Sequence, residues 1–261
     1  MKARKVRLIS NQKVSDRYWH MKVDTSGITT LVKPGQFFNI QCTNSLYPLL
    51  RRPISVYRID SANQTIEFLY LVKGLGTKKL TELKTNESID LFGPLGQGFH
   101  LNDDDQTILL VARGVGIATL AALAYQAVEK KKTVVAILSA RSKNDLLATE
   151  YLTKIGVKVF KVTDEEGTSE IGEVENLINE ILREFSVNAL YTCGSKRLSR
   201  LMQEIGKREG LYGEIALEEH MGCAMGVCFA CVCNLRDGDE LKSARVCIDG
   251  PVFPLEQVVI V

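Results

Sequence analysis

Two hydrophobic rhythms divide the chain. Over the first hundred residues, short runs rich in β-branched and aromatic side chains recur at 5–9, 17–23, 37–42, 54–59 and 66–72. Turn formers separate them at Pro34-Gly35, Ser61-Ala62-Asn63, Gly74-Leu75-Gly76 and Gly93-Pro94, a spacing that predicts a barrel or sandwich. The polar run Asn102-Asp103-Asp104-Asp105 ends that pattern. Beyond it, apolar stretches at 108–112, 133–138, 157–162 and 189–193 alternate with helix-like stretches at 117–129, 173–185 and 195–205. Strand, helix, strand, helix implies parallel βαβ units with right-handed crossovers. From Tyr212 onward the chain reads as short, loop-like and cysteine-rich. The fold class is therefore α+β and multidomain, with divisions expected at 1–101 (antiparallel β), 102–211 (α/β, parallel sheet) and 212–261 (a small C-terminal unit).

Composition narrows the class of protein. With 45% hydrophobic and 25% charged residues in 261, the chain can bury a core, which excludes disordered, collagen-like and coiled-coil chains. A net charge of +2 implies no polyanionic partner such as nucleic acid. That charge is uneven: eight acidic residues face three basic ones in 214–261, a net of −5, which leaves +7 on the remainder. The longest stretch without charge, 34–50, has 17 residues and is broken by Pro, Gly, Asn, Thr and Ser. A bilayer takes roughly 20 mostly apolar residues, so no membrane span is expected. The N-terminus MKARKVRLISNQKV has no apolar core of a secretory leader. Seven cysteines, four of them crowded into 223–233, make a poor disulfide framework and a good metal site, which points to a reducing, cytoplasmic setting.

The cysteine spacing is the strongest chemical signal. Cys223-x4-Cys228-x2-Cys231, followed by Cys247, is the plant-type ferredoxin pattern, in which one tight loop supplies three thiolates and a returning segment the fourth. A [2Fe-2S] cluster is the expected occupant. Structural zinc competes, but four-cysteine zinc sites usually pair two C-x2-C knuckles. Gly222 and Gly226 suit a loop that must curl around cluster sulfurs. Cys233 is expected to point elsewhere, and Cys42 and Cys193 to be small core residues.

A second signal is Arg51-Arg52-Pro53-Ile54-Ser55-Val56, where an arginine precedes a hydroxyl by three residues and could pair a pyrophosphate. Alone, the stretch reads first as the basic end of a strand. Its company matters: Pro34-Gly35-Gln36-Phe37 before it, then Leu69-Tyr70-Leu71 and Gly74-Leu75-Gly76-Thr77, then Gly93-Pro94-Leu95-Gly96-Gln97-Gly98-Phe99. This order, with the tails Glu218-Glu219-His220-Met221-Gly222-Cys223 and Arg245-Val246-Cys247-Ile248-Asp249-Gly250-Pro251-Val252-Phe253, closely resembles one family over essentially the whole length. It is that of the electron-transfer subunits of two-subunit, NAD-linked dihydroorotate dehydrogenases, within the ferredoxin–NADP reductase superfamily. The resemblance implies a FAD-binding β-barrel, a NAD-binding α/β domain and a small [2Fe-2S] domain. Carried over by position, Arg52, Pro53, Ile54 and Ser55 would hold FAD, Leu69, Tyr70 and Leu71 would line it, and Gly76 and Thr77 would meet its phosphates. Cys223, Cys228, Cys231 and Cys247 would ligate the cluster.

The nicotinamide region departs from the family. Gly114 and Gly116 stand in the turn after the 108–112 strand, but Arg113 replaces a glycine and Thr119 a proline. Ser195 follows Cys193-Gly194 where relatives usually carry proline, whereas Ala140-Arg141-Ser142-Lys143 keeps the family's pattern. A long side chain at 113 could block NAD(H) or pair with its phosphate. The resemblance further implies a hetero-oligomer with a FMN-containing catalytic subunit that oxidises dihydroorotate to orotate, a step of pyrimidine biosynthesis. Two other readings compete: a paralogous reductase subunit with another partner or a non-NAD donor, and a non-enzymatic redox sensor. No acid–base or nucleophile arrangement appears, and His20, His100 and His220 are scattered. Met221, Met225 and Phe229, beside the cysteines, would either form a docking face or merely cover the cluster.

Overall fold

In a computed structural model of the chain, residues 2–26, 28 and 32–260 are described. The first unit contains β1 (Lys2–Lys13), β2 (Tyr18–Asp24), β3 (Phe37–Ile40), β4 (Arg52–Asp60), β5 (Thr65–Leu71), the short helix α1 (Leu75–Thr81) and β6 (Ser88–Leu95). The six strands close into an antiparallel barrel in the order β1-β2-β5-β4-β3-β6. Strand alternation fills it: Phe38, Ile40, Val56, Ile66, Phe68 and Tyr70 point inward with Leu8, Met21 and Leu91, and Leu80 of α1 packs against them. Two elements go beyond the sequence pattern. β6 runs through Gly93 and Pro94, a position expected to be a turn, with Ile89 and Leu91 facing the barrel core and Leu95 buried against Phe37 and the second sheet. α1 lies within the glycine stretch, too short to show a helical period.

The second unit comprises β7 (Thr107–Arg113), α2 (Ile117–Glu129), β8 (Thr133–Ala140), α3 (Thr149–Lys154), β9 (Lys158–Thr163), α4 (Ile171–Glu184), β10 (Ala189–Cys193), α5 (Lys196–Glu209) and β11 (Tyr212–Ala216). The third supplies the hairpin β12 (Val232–Asp237) and β13 (Glu240–Arg245), and β14 (Val252–Pro254). The second sheet has the order β14-β11-β10-β7-β8-β9, parallel except for β14. The loop-like expectation for 212–261 is thus corrected, since β11 and β14 extend the parallel sheet and β12 pairs with β13. Both extending strands are very short, and their pairing joins positions about forty residues apart, which no local pattern reveals. Among the described residues no helix is long and apolar enough to cross a membrane.

α2 is apolar nearly all round because it is sandwiched: nine of its residues are buried between the sheet and the outer barrel face carrying Tyr18, Tyr57 and Leu69. Beside that contact lies Glu67, 2% exposed, which accepts from His20 Nε2 at 2.8 Å and Arg58 Nη1 at 2.9 Å, with Lys22 Nζ at 3.4 Å. The Arg58 guanidinium in turn covers the Tyr151 ring of α3 at 4.3 Å, tying barrel to second unit. Burial pushes the Glu67 carboxyl up, but the His20 hydrogen bond and the charges of Arg58, His20 and Lys22 outweigh it and hold it below its ordinary value. A depressed carboxylate contributes stability above that ordinary value of 4.5 and loses it as the pH falls through its folded pKa. Urea unfolding followed between pH 7 and roughly pH 3 should therefore show stability falling at the acid end. Glu67→Gln should cost about 1–3 kcal/mol at pH 7 and flatten that acid dependence.

Candidate functional site

A cleft of about 540 Å³ opens where the three units meet. Its barrel wall is Phe37, Arg52, Pro53, Ile54, Ser55, Leu69, Tyr70, Leu71, Lys73, Gly74 and Thr77. Opposite stand Val115 and Ala118 from the turn before and the first turn of α2, then Leu217, Glu218, Glu219, His220 and Met221, with Pro251. The structure therefore brings together eight of the nine residues expected to hold FAD, and the ninth, Gly76, sits directly behind Arg52. A Cβ on Gly76 would meet Arg52 Nε at 2.6 Å, so glycine is what lets the guanidinium lie on the first turn of α1. Arg52 Nη1 is held by the Leu50 and Arg51 carbonyls, at 2.7 and 3.1 Å, and Nε and Nη2 have no acceptor among the described residues. A cation fixed by its backbone with free donors facing a cleft fits a diphosphate.

Two expectations are refined. The Tyr70 side chain points into the barrel, 2% exposed, and donates to Asn11 Oδ1 at 3.0 Å, so only its backbone edges the cleft. Alternation sends Leu69 and Leu71 the other way. The Thr77 hydroxyl is already engaged in the cap of α1: it accepts from the Lys73 and Gly74 N–H groups at 3.0 and 3.2 Å and donates to the Gly74 carbonyl. The segment 217–221, part of which carries the family resemblance, has a place that the sequence does not reveal. It forms the floor of the cleft and runs directly into Cys223. Glu218 faces the open cleft with protein packed behind it; burial pushes its carboxyl up and Lys73 opposes the shift.

The cysteine loop curls through three left-handed positions, Ala224 (φ 55), Gly226 (φ 78) and Phe229 (φ 56). Arg245 secures it, donating to the Gly226 carbonyl at 3.1 Å while its Nε pairs with Asp249 at 3.1 Å. Inside the curl, the N–H groups of Met225, Val227 and Cys228 point at Cys223 Sγ from 3.3 to 3.4 Å. These donors, Met225 foremost, pull the Cys223 thiol down to about 6. The Cys223 N–H in turn points at Cys228 Sγ at 3.4 Å. Among the described residues no three ligands gather where a single ion would sit. Three cysteines on one amide-lined loop, with Cys247 on the segment that returns after the β12–β13 hairpin, fit a two-iron cluster better than the paired knuckles of a zinc site. Cys233 lies apart on β12, where burial raises its thiol to about 11, while Cys42 and Cys193 are buried as expected.

The nicotinamide region holds a surprise. In this sheet the strand order reverses between β7 and β10, which is where open α/β sheets take ligands. Gly116 and Gly194 let the two strand-end loops touch: a Cβ on Gly116 would strike the Cys193 carbonyl, and one on Gly194 (φ +98) the Arg113 carbonyl. Gly114 (φ +55) faces the Tyr18 hydroxyl. Arg113 itself is extended (φ −122, ψ 130), so that position has no need of glycine, and its side chain leaves the turn for β8 and β9. Ser195 accepts from the Leu198 N–H at 3.3 Å as the N-cap of α5, which accounts for serine there.

A closed barrel, a parallel sheet with its crevice turned toward it, and a cysteine segment at their junction define a reductase of ferredoxin–NADP reductase architecture with an iron–sulfur extension. The fold matches a chain of the NADH-dependent reduced ferredoxin-NADP oxidoreductase, described for flavin-based electron bifurcation, with a TM-score of 0.82 over 98% of this chain and 90% of that one at 22% identity. It matches Plasmodium falciparum ferredoxin-NADP+ reductase at 0.64, 15% identity, over 79% and 90%. Those likenesses concern the fold. The family model for the iron-sulfur cluster binding domain of dihydroorotate dehydrogenase B matches residues 218–259. Electron transfer subunits of dihydroorotate dehydrogenase B (NAD(+)) from Bacillus cereus (strain B4264) and Bacillus anthracis (strain CDC 684 / NRRL 3495) are 36% and 35% identical over 258 residues, 97% of this chain and of each relative. The chain belongs to this family of electron transfer subunits. Neither the paralogue nor the redox-sensor reading is favoured by these matches.

Arg52→Ala should weaken FAD binding by about ten- to a hundredfold, because charge-assisted contacts to phosphate contribute roughly 1.5–3 kcal/mol. Fluorescence titration of the flavin-free protein measures it, and the cysteine-bound iron content should not change.

Proposed function

We propose that this chain carries electrons between NAD(H) and a FMN-containing catalytic subunit that oxidises dihydroorotate to orotate, the two forming a hetero-oligomer. In this reading the barrel within 1–101 binds FAD, the sheet within 102–211, extended by β11 and β14, takes NAD(H), and the segment within 212–261 binds a [2Fe-2S] cluster. Bound in these places, a flavin exchanges electron pairs with nicotinamide and single electrons with a two-iron cluster.

The observation that carries the reading is the continuity of the cleft floor. Its wall is the Arg52–Ser55 strand, and its floor, Leu217 to Met221, leads within two residues to Cys223. The chain's own residues then have distinct tasks. Arg52 would pair the FAD diphosphate on the first turn of α1, with Gly76 leaving it room and Thr77 keeping that turn capped. Pro53, Ile54, Leu69 and Leu71 would pack against the flavin and exclude water, and Ser55 would offer a hydroxyl to its polar edge. Gly114 and Gly116 would let the dinucleotide approach the backbone. Cys223, Cys228, Cys231 and Cys247 would ligate the irons, the amides around Cys223 favouring its thiolate.

Anaerobic titration of the cofactor-loaded protein with NADH should bleach flavin and cluster absorption together. Bleaching by dithionite alone would refute the NAD(H) assignment. For the partner, Met225, Val227 and Phe229 are 51, 74 and 62% exposed around the cluster loop, an apolar group on an acidic segment. Truncating a buried interface anchor commonly costs 2 kcal/mol or more, so Phe229→Asp should weaken association with the catalytic subunit at least about thirtyfold by size-exclusion and calorimetry. Unchanged association would leave those residues as a cover for the cluster.

A further inference from the structure

The unabsorbed feature is Arg113, whose guanidinium bridges three strand ends. From β7, Nη1 donates to Ser139 Oγ on β8 at 2.8 Å, and Nη2 meets Asp164 Oδ2, just past β9, at 2.5 Å. Ser169 Oγ also donates to Asp164. Beside it the loops after β8 and β9 are zipped together: Asp164 and Glu165 donate their N–H groups to the Ala140 and Arg141 carbonyls at 3.1 Å each. Glu165 accepts from the Lys143 N–H at 2.7 Å, and Glu166 pairs with Lys143 Nζ at 2.5 Å while accepting from Thr163 Oγ1 at 2.9 Å. The Arg113 and Asp164 side chains are 20 and 40% exposed, and such a pair adds little stability. Its effect lies in what it does to the charge of the rim.

In open α/β sheets the end of the second strand meets the adenosine ribose, and a cation there receives the 2′-phosphate of NADP whereas a carboxylate suits the 2′-hydroxyl of NAD. Here the second strand is β8, and two of the cations at its end, Arg113 and Lys143, are each bound by a carboxylate from the β9 loop. A third cation, Arg141, follows β8 directly, exposed and without a side-chain partner among the described residues.

We propose that Asp164 and Glu166 bias nucleotide specificity: by holding Arg113 and Lys143 in ion pairs at the end of β8 they withdraw two of the three cations there from the 2′-phosphate of NADP(H) and favour NAD(H). This rests on the nucleotide assignment above and goes beyond it, naming the discriminating residues. Arg113 is thereby a positioning residue that keeps the β9 loop against the β8 end.

The test is calorimetric binding of NAD+ and NADP+ to the oxidised, cofactor-loaded protein, which can react with neither. Wild type should bind NADP+ at least about tenfold more weakly than NAD+. Asp164→Asn with Glu166→Gln should tighten NADP+ by about tenfold or more and leave NAD+ within about threefold. Adding Arg113→Gly should remove most of that gain. Each single variant, at a half-exposed position, should give a smaller gain in the same direction if the double variant does not accumulate. Unchanged NADP+ binding in the variants, with NAD+ still bound, would overturn the specificity role alone. A wild type that binds both equally would do the same. A wild type that binds neither would overturn the nucleotide assignment with it.

Discussion

The contact on which the rest of the molecule depends is made by the few residues after Cys247. Gln97 of the barrel-closing loop donates its N–H to the Gly250 carbonyl at 2.6 Å and bridges to Pro251, while Leu217 N–H donates to the Pro251 carbonyl at 2.9 Å. Two residues on, β14 pairs with β11 and joins the parallel sheet. The approach is too close for side chains on the barrel side: a Cβ on Gly96 would strike Gly250 and Pro251, and one on Gly35 would lie 2.8 Å from Val252. One short stretch therefore holds a cluster ligand, the barrel, the second sheet and the cleft in mutual register. Loosening it would separate the flavin wall from the cysteine loop without unfolding either.

In the proposed reading the chain's polar groups hold rather than react: Arg52 for an anion and backbone amides for sulfur, while Glu67 and Arg58 hold the seam between barrel and α3. The chain then acts as a conductor whose efficiency is set by separation and packing, with the surface proposed near Phe229 as its outlet.

Much of this was legible in the sequence, and the omissions have physical causes. Cysteine spacing and the Arg52–Ser55 stretch announce themselves because the chemistry requires those residue types at that spacing. The inward turn of Tyr70 follows from the alternation of Phe68 and Tyr70 against Leu69 and Leu71. β11 and β14 were invisible, since three to five residues carry no period and their partners are distant in sequence. The floor from Leu217 to Met221 is polar and ordinary in composition, and only the fold reveals what it faces. Arg113 posed a question that the sequence alone could frame, recruiter or blocker; its partner, Asp164, lies 51 residues away.

The central claim is that one cleft couples flavin to cluster within a single molecule. Stopped-flow mixing of the cofactor-loaded protein with NADH, recorded at flavin and cluster wavelengths over a range of protein concentrations, tests it most directly. The account predicts that the cluster bleaches after the flavin at a rate independent of protein concentration. A cluster rate that rises in proportion to protein concentration would mean transfer between molecules and would contradict it.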